Sequence, residues 1–162
     1  QYKKVLEYIE IAKDEGAHCV LGGGPASRPE CGQGWFVEPT IFTEVRPEMR
    51  IAQEEVFGPV LGIIPFDDDE EAIEIANGTL YGLAAGAWTK SINRALTMAE
   101  RLEAGTVWIN TYRAVSYMSP FGGYKHSGIG RESGLSAIRE YLQEKSVWID
   151  TSGNVPNPFV MR

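Results

Sequence analysis

Residues 56–66 read VFGPVLGIIPF, residues 67–78 DDDEEAIEIANG, residues 83–88 LAAGAW, residues 91–102 SINRALTMAERL and residues 106–110 TVWIN. This stretch decides the fold. Segment 56–66 is apolar except at Gly58-Pro59 and Gly62 and lacks period-2 alternation, as a strand buried on both faces would. The acidic run 67–71 follows at once. It supplies an N-cap with a glutamate three residues on and places negative charge at a helix N-terminus, so it reads as a solvated cap rather than a metal site. Ala72, Ile73, Ile75 and Ala76 continue that helix until Asn77-Gly78 stops it. Segment 83–88 is a small apolar strand. Thr89 or Ser91 then caps a helix with Ile92, Ala95, Leu96, Ala99 and Leu102 on one face, Gly105 terminates it, and 106–110 is again strand. The order strand–helix–strand–helix–strand predicts an α/β domain with a mostly parallel sheet flanked by helices.

Upstream, Tyr2, Val5, Leu6, Ile9 and Ala12 recur at helical spacing, with Gly16 placed to end the helix. Residues 18–21 read as strand, 22–33 as a Gly/Pro/Ser-rich loop, and 35–42 as a second strand closed by a turn at Arg46-Pro47-Glu48. Downstream, 111–132 has neither helical nor strand periodicity, and ordered loops of that length are usually functional. A short helix at 133–142 and a strand at 145–151 follow. The tail 153–162, with Pro156 and Pro158, is expected to run over the surface.

The chain has 162 residues, 43% of them apolar, 10% aromatic and 23% charged, which suits one globular domain and excludes disorder, a collagen-like repeat or a disulfide-dense mini-protein. Fifteen basic against 22 acidic residues give a charge of −7, which offers nucleic acid no electrostatic footprint. No apolar run approaches the roughly 20 residues of a membrane helix. Two cysteines make no disulfide framework, so a cytoplasmic location is expected. The chain opens at Gln1 directly on a helical pattern with no signal peptide, as a piece of a longer polypeptide would. Familiar site motifs fail. Pro25, Arg28 and Pro29 bar a pyrophosphate-binding helix after Gly22-Gly23-Gly24. Ile129 stands where a Walker A loop beginning at Gly123 needs lysine. No G-x-S-x-G surrounds Ser127. His18, His126, Cys19 and Cys31 have no metal-ligand spacing. Cys19 reads as a small buried hydrophobe and Cys31 as a loop thiol.

Four segments remain: Gln53-Glu54-Glu55-Val56-Phe57-Gly58-Pro59-Val60, Tyr81-Gly82-Leu83-Ala84-Ala85-Gly86, Gly105-Thr106-Val107-Trp108-Ile109-Asn110, and the run from Ser119-Pro120-Phe121-Gly122-Gly123 through Gly130-Arg131-Glu132. In this order and spacing they resemble the C-terminal part of the catalytic domain of the NAD(P)-dependent aldehyde dehydrogenase superfamily. The resemblance implies 1–143 as that catalytic portion and 144–162 as an oligomerisation strand and tail. It also implies that the nucleophilic cysteine, the general-base glutamate and the fold that binds most of NAD or NADP lie upstream. The chain alone is then expected to be inactive. In the family a cysteine thiolate attacks the aldehyde, hydride passes to the cofactor, and water hydrolyses the thioester.

Carried over position by position, the resemblance makes Glu55 the carboxylate that accepts hydrogen bonds from the nicotinamide-ribose diol, whose two hydroxyls match its two oxygens. It makes Phe57 the aromatic beside the nicotinamide. On the residues alone, Glu54 and Glu55 are exposed turn charges and Phe57 is core. Tyr112, Arg113 and Val115 fall where relatives line the aldehyde tunnel. Arg113 and Val115 replace an acid and a bulky aromatic of some relatives, which implies a larger substrate, or one with an anionic or polar group for Arg113; otherwise Arg113 points to solvent. Glu132 is either a proton relay for deacylation or a cap for the 133–142 helix. Segment 121–123 turns the chain where glycines allow close backbone approach. An unpaired apolar 145–151 edge would be an aggregation hazard, so a homo-oligomer through it is expected rather than an internal edge strand. A non-catalytic α/β binding or oligomerisation module derived from the same fold is the competing reading. A reductase of acyl phosphates or semialdehydes is disfavoured by the signature from Glu55 to Pro59.

Overall fold

A computed structural model describes residues 1–153 and Phe159. Helix α1 (Tyr2–Asp14) buries Val5, Ile9 and Ala12 of the expected stripe together with Tyr8, while Tyr2 and Leu6 are only partly buried. Gly16, at φ +95°, takes the left-handed turn after it that a side chain would resist. The chain returns as β1 (His18–Leu21), which pairs antiparallel with β2 (Thr40–Thr43). Their connection holds only a short 3₁₀ turn, Pro29–Cys31. The segment expected as strand from residue 35 pairs in a ladder only from Thr40. Before it, Pro39 has no N–H to donate, and the loop closes instead through an isolated Pro25–Val37 bridge.

After β2 the chain passes through the single-turn helix α2 (Arg50–Gln53) to β3 (Val60–Gly62), parallel to β2. Phe42, fully buried at the centre of this sheet, packs with Ile9, Ala12, Val45, Met49 and Val56 into the first core. Segment 56–66 does not form the doubly buried strand that its apolarity predicts. Pro59 and the left-handed Phe57, at φ +55°, hold off pairing until Val60. Leu61 is 55% exposed, because β3 is an edge whose outer face this chain leaves uncovered.

The second core is the βαβ unit read from the sequence. Helix α3 (Asp69–Asn77) starts on Asp68, whose Oδ1 accepts from the Glu71 N–H at 2.9 Å, while Glu71 Oε2 accepts from the Asp67 N–H. The acidic run is thus a cap, as its pattern implies. Strands β4 (Tyr81–Gly82) and β5 (Ala84–Ala87) lead into α4 (Ile92–Arg101), capped by Ser91. Strand β6 (Thr106–Ile109) then lies parallel to β5 in unbroken register, from Ala84 opposite Thr106 to Ala87 opposite Ile109. Ile73, Met98 and Leu102 fill the space above Ala85, Ala87, Val107 and Ile109.

The loop after β6 returns through β7 (Tyr124–Lys125), antiparallel to β4. Parallel and antiparallel pairings are therefore equal in number among the described strands, rather than mostly parallel. The parallel pairs are those joined through helices. Segment 133–142 is a 3₁₀ turn, Leu135–Tyr141, with no buried residue. Residues 145–151 join no ladder, and Trp148 is 93% exposed. A strand needs a partner edge, and among the described residues none pairs with that segment. Pro156 and Pro158 lie outside the described residues.

Candidate functional site

The turn 53–60 is built against α1. Glu54, in extended conformation at φ −115° and ψ 150°, is exposed but holds its carboxylate against the side chains of α1 and α2. There Arg50 grips it with Nε on Oε1 and Nη2 on Oε2, each at 2.8 Å, and the Tyr8 hydroxyl donates to Oε2. The Arg50 fork, and after it the Tyr8 hydroxyl, hold the Glu54 carboxyl down at about 2. The same hydrogen bond pushes the Tyr8 phenol up from its ordinary value. Farther along, Lys4 Nζ donates to the Glu55 carbonyl at 3.0 Å, and Gln1 Nε2 donates to the Val56 and Phe57 carbonyls at 3.0 and 2.8 Å.

The two residues singled out on this turn face outward. Glu55 is exposed, and among the described residues its carboxylate takes part in no hydrogen bond or ion pair, so both oxygens can accept from a ligand. Phe57 is 72% exposed rather than core. Its ring lines a cleft of about 740 Å³ with Trp35, Phe36 and Pro59, at the N-terminal end of α1. Glu55 is not among that cleft's walls. An exposed carboxylate next to an exposed aromatic, on a backbone fixed from behind, is suited to a ligand that presents hydroxyls beside a flat ring.

The second group lies on the loops after β6. Asn110, left-handed at φ +54°, clamps Thr89 by accepting from its N–H and donating to its carbonyl, each at 2.8 Å. Trp108 donates to the Ala114 carbonyl at 2.8 Å and meets Tyr112 edge-on at 5.6 Å. These contacts fix a loop whose Tyr112, Arg113 and Val115 all face solvent. Arg113, at φ +56°, forms no ion pair among the described residues. Phe121 and Glu132 exchange both backbone hydrogen bonds at 2.7 Å, which brings Glu132 to a cleft of about 510 Å³ that Val115 also lines. Glu132 does not cap the following turn, which begins at Gly134 without a side-chain cap.

Glycines allow the close approach behind this loop. A Cβ at Gly105 would overlap the Gly122 carbonyl oxygen, and one at Gly122 would overlap that of Gly130. The structure therefore brings Val115 and Glu132 to one cleft and puts Phe57 on another, while Glu55, Tyr112 and Arg113 line neither. Sequence reasoning missed Gln1, Lys4, Tyr8, Arg50 and Glu54. Of these only the Arg50–Glu54 pair carries a local signal, the i,i+4 spacing of opposite charges. Among the described residues no cluster of His, Cys, Asp and Glu could hold a metal ion, and no helix is long and apolar enough to cross a membrane.

Comparison with known proteins agrees over nearly the whole chain. The model of the aldehyde dehydrogenase family matches residues 1–147. Aldehyde dehydrogenase 1 of Tanacetum cinerariifolium is 52% identical over 147 residues, 91% of this chain and 29% of that protein. Betaine aldehyde dehydrogenase of Brucella anthropi is 47% identical over 159 residues, 98% of this chain and 32% of that protein. The crystal structure of betaine aldehyde dehydrogenase from Staphylococcus aureus in complex with NAD+ superposes with a TM-score of 0.90 at 42% identity, covering 99% of this chain and 32% of that one. The chain thus spans about a third of the length of the relatives it matches.

Proposed function

The chain belongs to the aldehyde dehydrogenase family, and from that premise we propose that it forms the cofactor- and substrate-facing edge of an enzyme oxidising an aldehyde to a carboxylic acid with NAD+ or NADP+. The nucleophilic thiolate and most of the dinucleotide grip come, in this reading, from polypeptide outside these 162 residues. The observation that carries it is the turn 53–60, where Glu55 presents a carboxylate and Phe57 an aromatic face to solvent from a backbone braced by α1.

The residues present fit a nicotinamide riboside. The two Glu55 oxygens accept from the vicinal hydroxyls, and Phe57 packs against the ring and keeps water from one side of it. When bound, the cofactor supplies the acceptor for hydride. Tyr112, Arg113 and Val115 border the route of the aldehyde, and Arg113 meets an anionic or polar group on it. Glu132 holds a proton during hydrolysis. Glu55→Gln in the whole enzyme is expected to raise the cofactor KM and leave the aldehyde KM unchanged; an unchanged cofactor KM would overturn this assignment. Arg113→Ala should slow a carboxylated aldehyde more than a neutral one, and equal losses on both would remove Arg113 from substrate recognition.

The chain by itself is expected to be inactive, because neither Cys19 nor Cys31 stands in the family's nucleophile motif; steady NADH formation by the purified chain would contradict this. Residues 144–162 form the oligomerisation segment and 1–143 the catalytic portion in this reading, supported by the uncovered Val147, Trp148 and Ile149. The free thiols of Cys19 and Cys31 suit a reducing compartment such as the cytoplasm.

A further inference from the structure

Two adjacent, exposed glutamates on the turn 53–60 differ in their partners, and the difference gives the tethered one a task. We propose that Glu54 is a positioning residue which, through Arg50 and Tyr8, sets the direction in which Glu55 and Phe57 face. The proposal rests on the reading of Glu55 as the ribose-binding carboxylate.

Successive side chains of an extended backbone point to opposite sides. Glu54 is extended, so holding its carboxylate on the side of Arg50 and Tyr8 directs that of Glu55 to the other side. That tether is well defined. Arg50 meets both carboxylate oxygens at 2.8 Å, and a two-point fork fixes the plane of the group as well as its position. Arg50 also lies over the Tyr8 ring, 5.1 Å from its centroid. Tyr8 is buried in the first core, so the anchor is the core itself. Ionised down to about 2, the Glu54 carboxylate keeps this arrangement throughout any working pH.

Beyond Glu55 the turn is held by its backbone. Val56 is buried, and Gln1 bonds the carbonyls of Val56 and Phe57. Phe57 keeps a left-handed backbone that few aromatic residues adopt. The turn is thus pinned on both sides of Glu55 by groups that leave its carboxylate untouched. A carboxylate presented in one direction binds a diol with less ordering cost than one that must be collected from several.

The test is steady-state kinetics of the whole enzyme with the cofactor varied, for wild type, Glu54→Gln, Glu55→Gln and the double variant. Glu54→Gln should raise the cofactor KM roughly three- to tenfold with the aldehyde KM unchanged. The double variant should be no worse than Glu55→Gln alone, since Glu54 acts only through Glu55. A merely structural Glu54 lowers the folded fraction, and so kcat, without moving the cofactor KM. If Glu55→Gln raises that KM and Glu54→Gln does not, the positioning role is overturned and the ribose assignment stands. If neither moves it, both fall. Should Glu54→Gln not fold, Tyr8→Phe replaces it in the same cycle: it keeps the buried ring, removes one of the three hydrogen bonds on the Glu54 carboxylate, and is judged by the same outcomes.

Discussion

At Glu54 the folded carboxyl sits at about 2 against an ordinary 4.5, through Arg50 first and Tyr8 second. A depressed carboxylate contributes stability that is complete above its unfolded value and is lost as the pH falls through the folded one. The window is therefore from about 4.5 down to about 2. The Tm of the chain should fall as the pH drops across that window, and Glu54→Gln should flatten part of the fall; parallel profiles for the two proteins would show that the pair adds nothing. Phe42 is the residue where packing matters most in the first core. Phe42→Ala is expected to cost about 3–5 kcal/mol, read from the denaturant midpoint. Of the site residues, the sequence announces Glu55 and Phe57 by motif, but not which of two adjacent glutamates is tethered. That depends on Tyr8, 46 residues away from Glu54 in the chain, and no local pattern reports it.

Elements whose ends carry their own signals were legible. The Asp68 and Ser91 caps form where the sequence places them, accepting from Glu71 and Arg94 at 2.9 and 3.3 Å. The shorter bond is also the charged one, at a helix N-terminus that favours negative charge. Asp68→Ala should therefore cost more than Ser91→Ala, with about 1 kcal/mol typical of either, and the reverse order in urea midpoints would contradict this. Strands were less legible, because apolarity marks burial and not pairing. Segment 56–66 reads as one strand and forms only Val60–Gly62. Segment 145–151 has strand composition and no ladder. Gly105, read from sequence as a helix stop, is not one: α4 ends at Arg101 with an extended Leu102 after it, and Gly105 is instead the contact on which the 119–132 loop rests. Gly105→Ala is expected to cost about 1–3 kcal/mol by overpacking, with an unchanged slope in denaturant.

For the whole molecule, the feature that stands out is uncovered apolar surface. Trp35, Trp88, Ile129, Leu135, Tyr141 and Trp148 are all largely exposed, and such surface associates in water. Sedimentation of the purified chain should show species heavier than 17.9 kDa that grow with concentration. A single species of that mass across a hundredfold concentration range would contradict this. Replacing Trp148 by Glu tests the closing segment in particular, and is expected to reduce that association.

The sequence by itself determined the α/β class, the helices α1, α3 and α4 with the Asp68 and Ser91 caps, and the order of motifs that marks the family. Each of these is written in neighbours a few residues apart, where periodicity and turn chemistry act. Tertiary structure alone decided which apolar segments find a strand partner, that Glu132 meets Val115 at one cleft, and that Glu54 is tethered to Tyr8 while the Glu55 carboxylate is left unbonded among the described residues. Those outcomes depend on contacts between residues far apart in the chain, and so on how the chain folds back on itself.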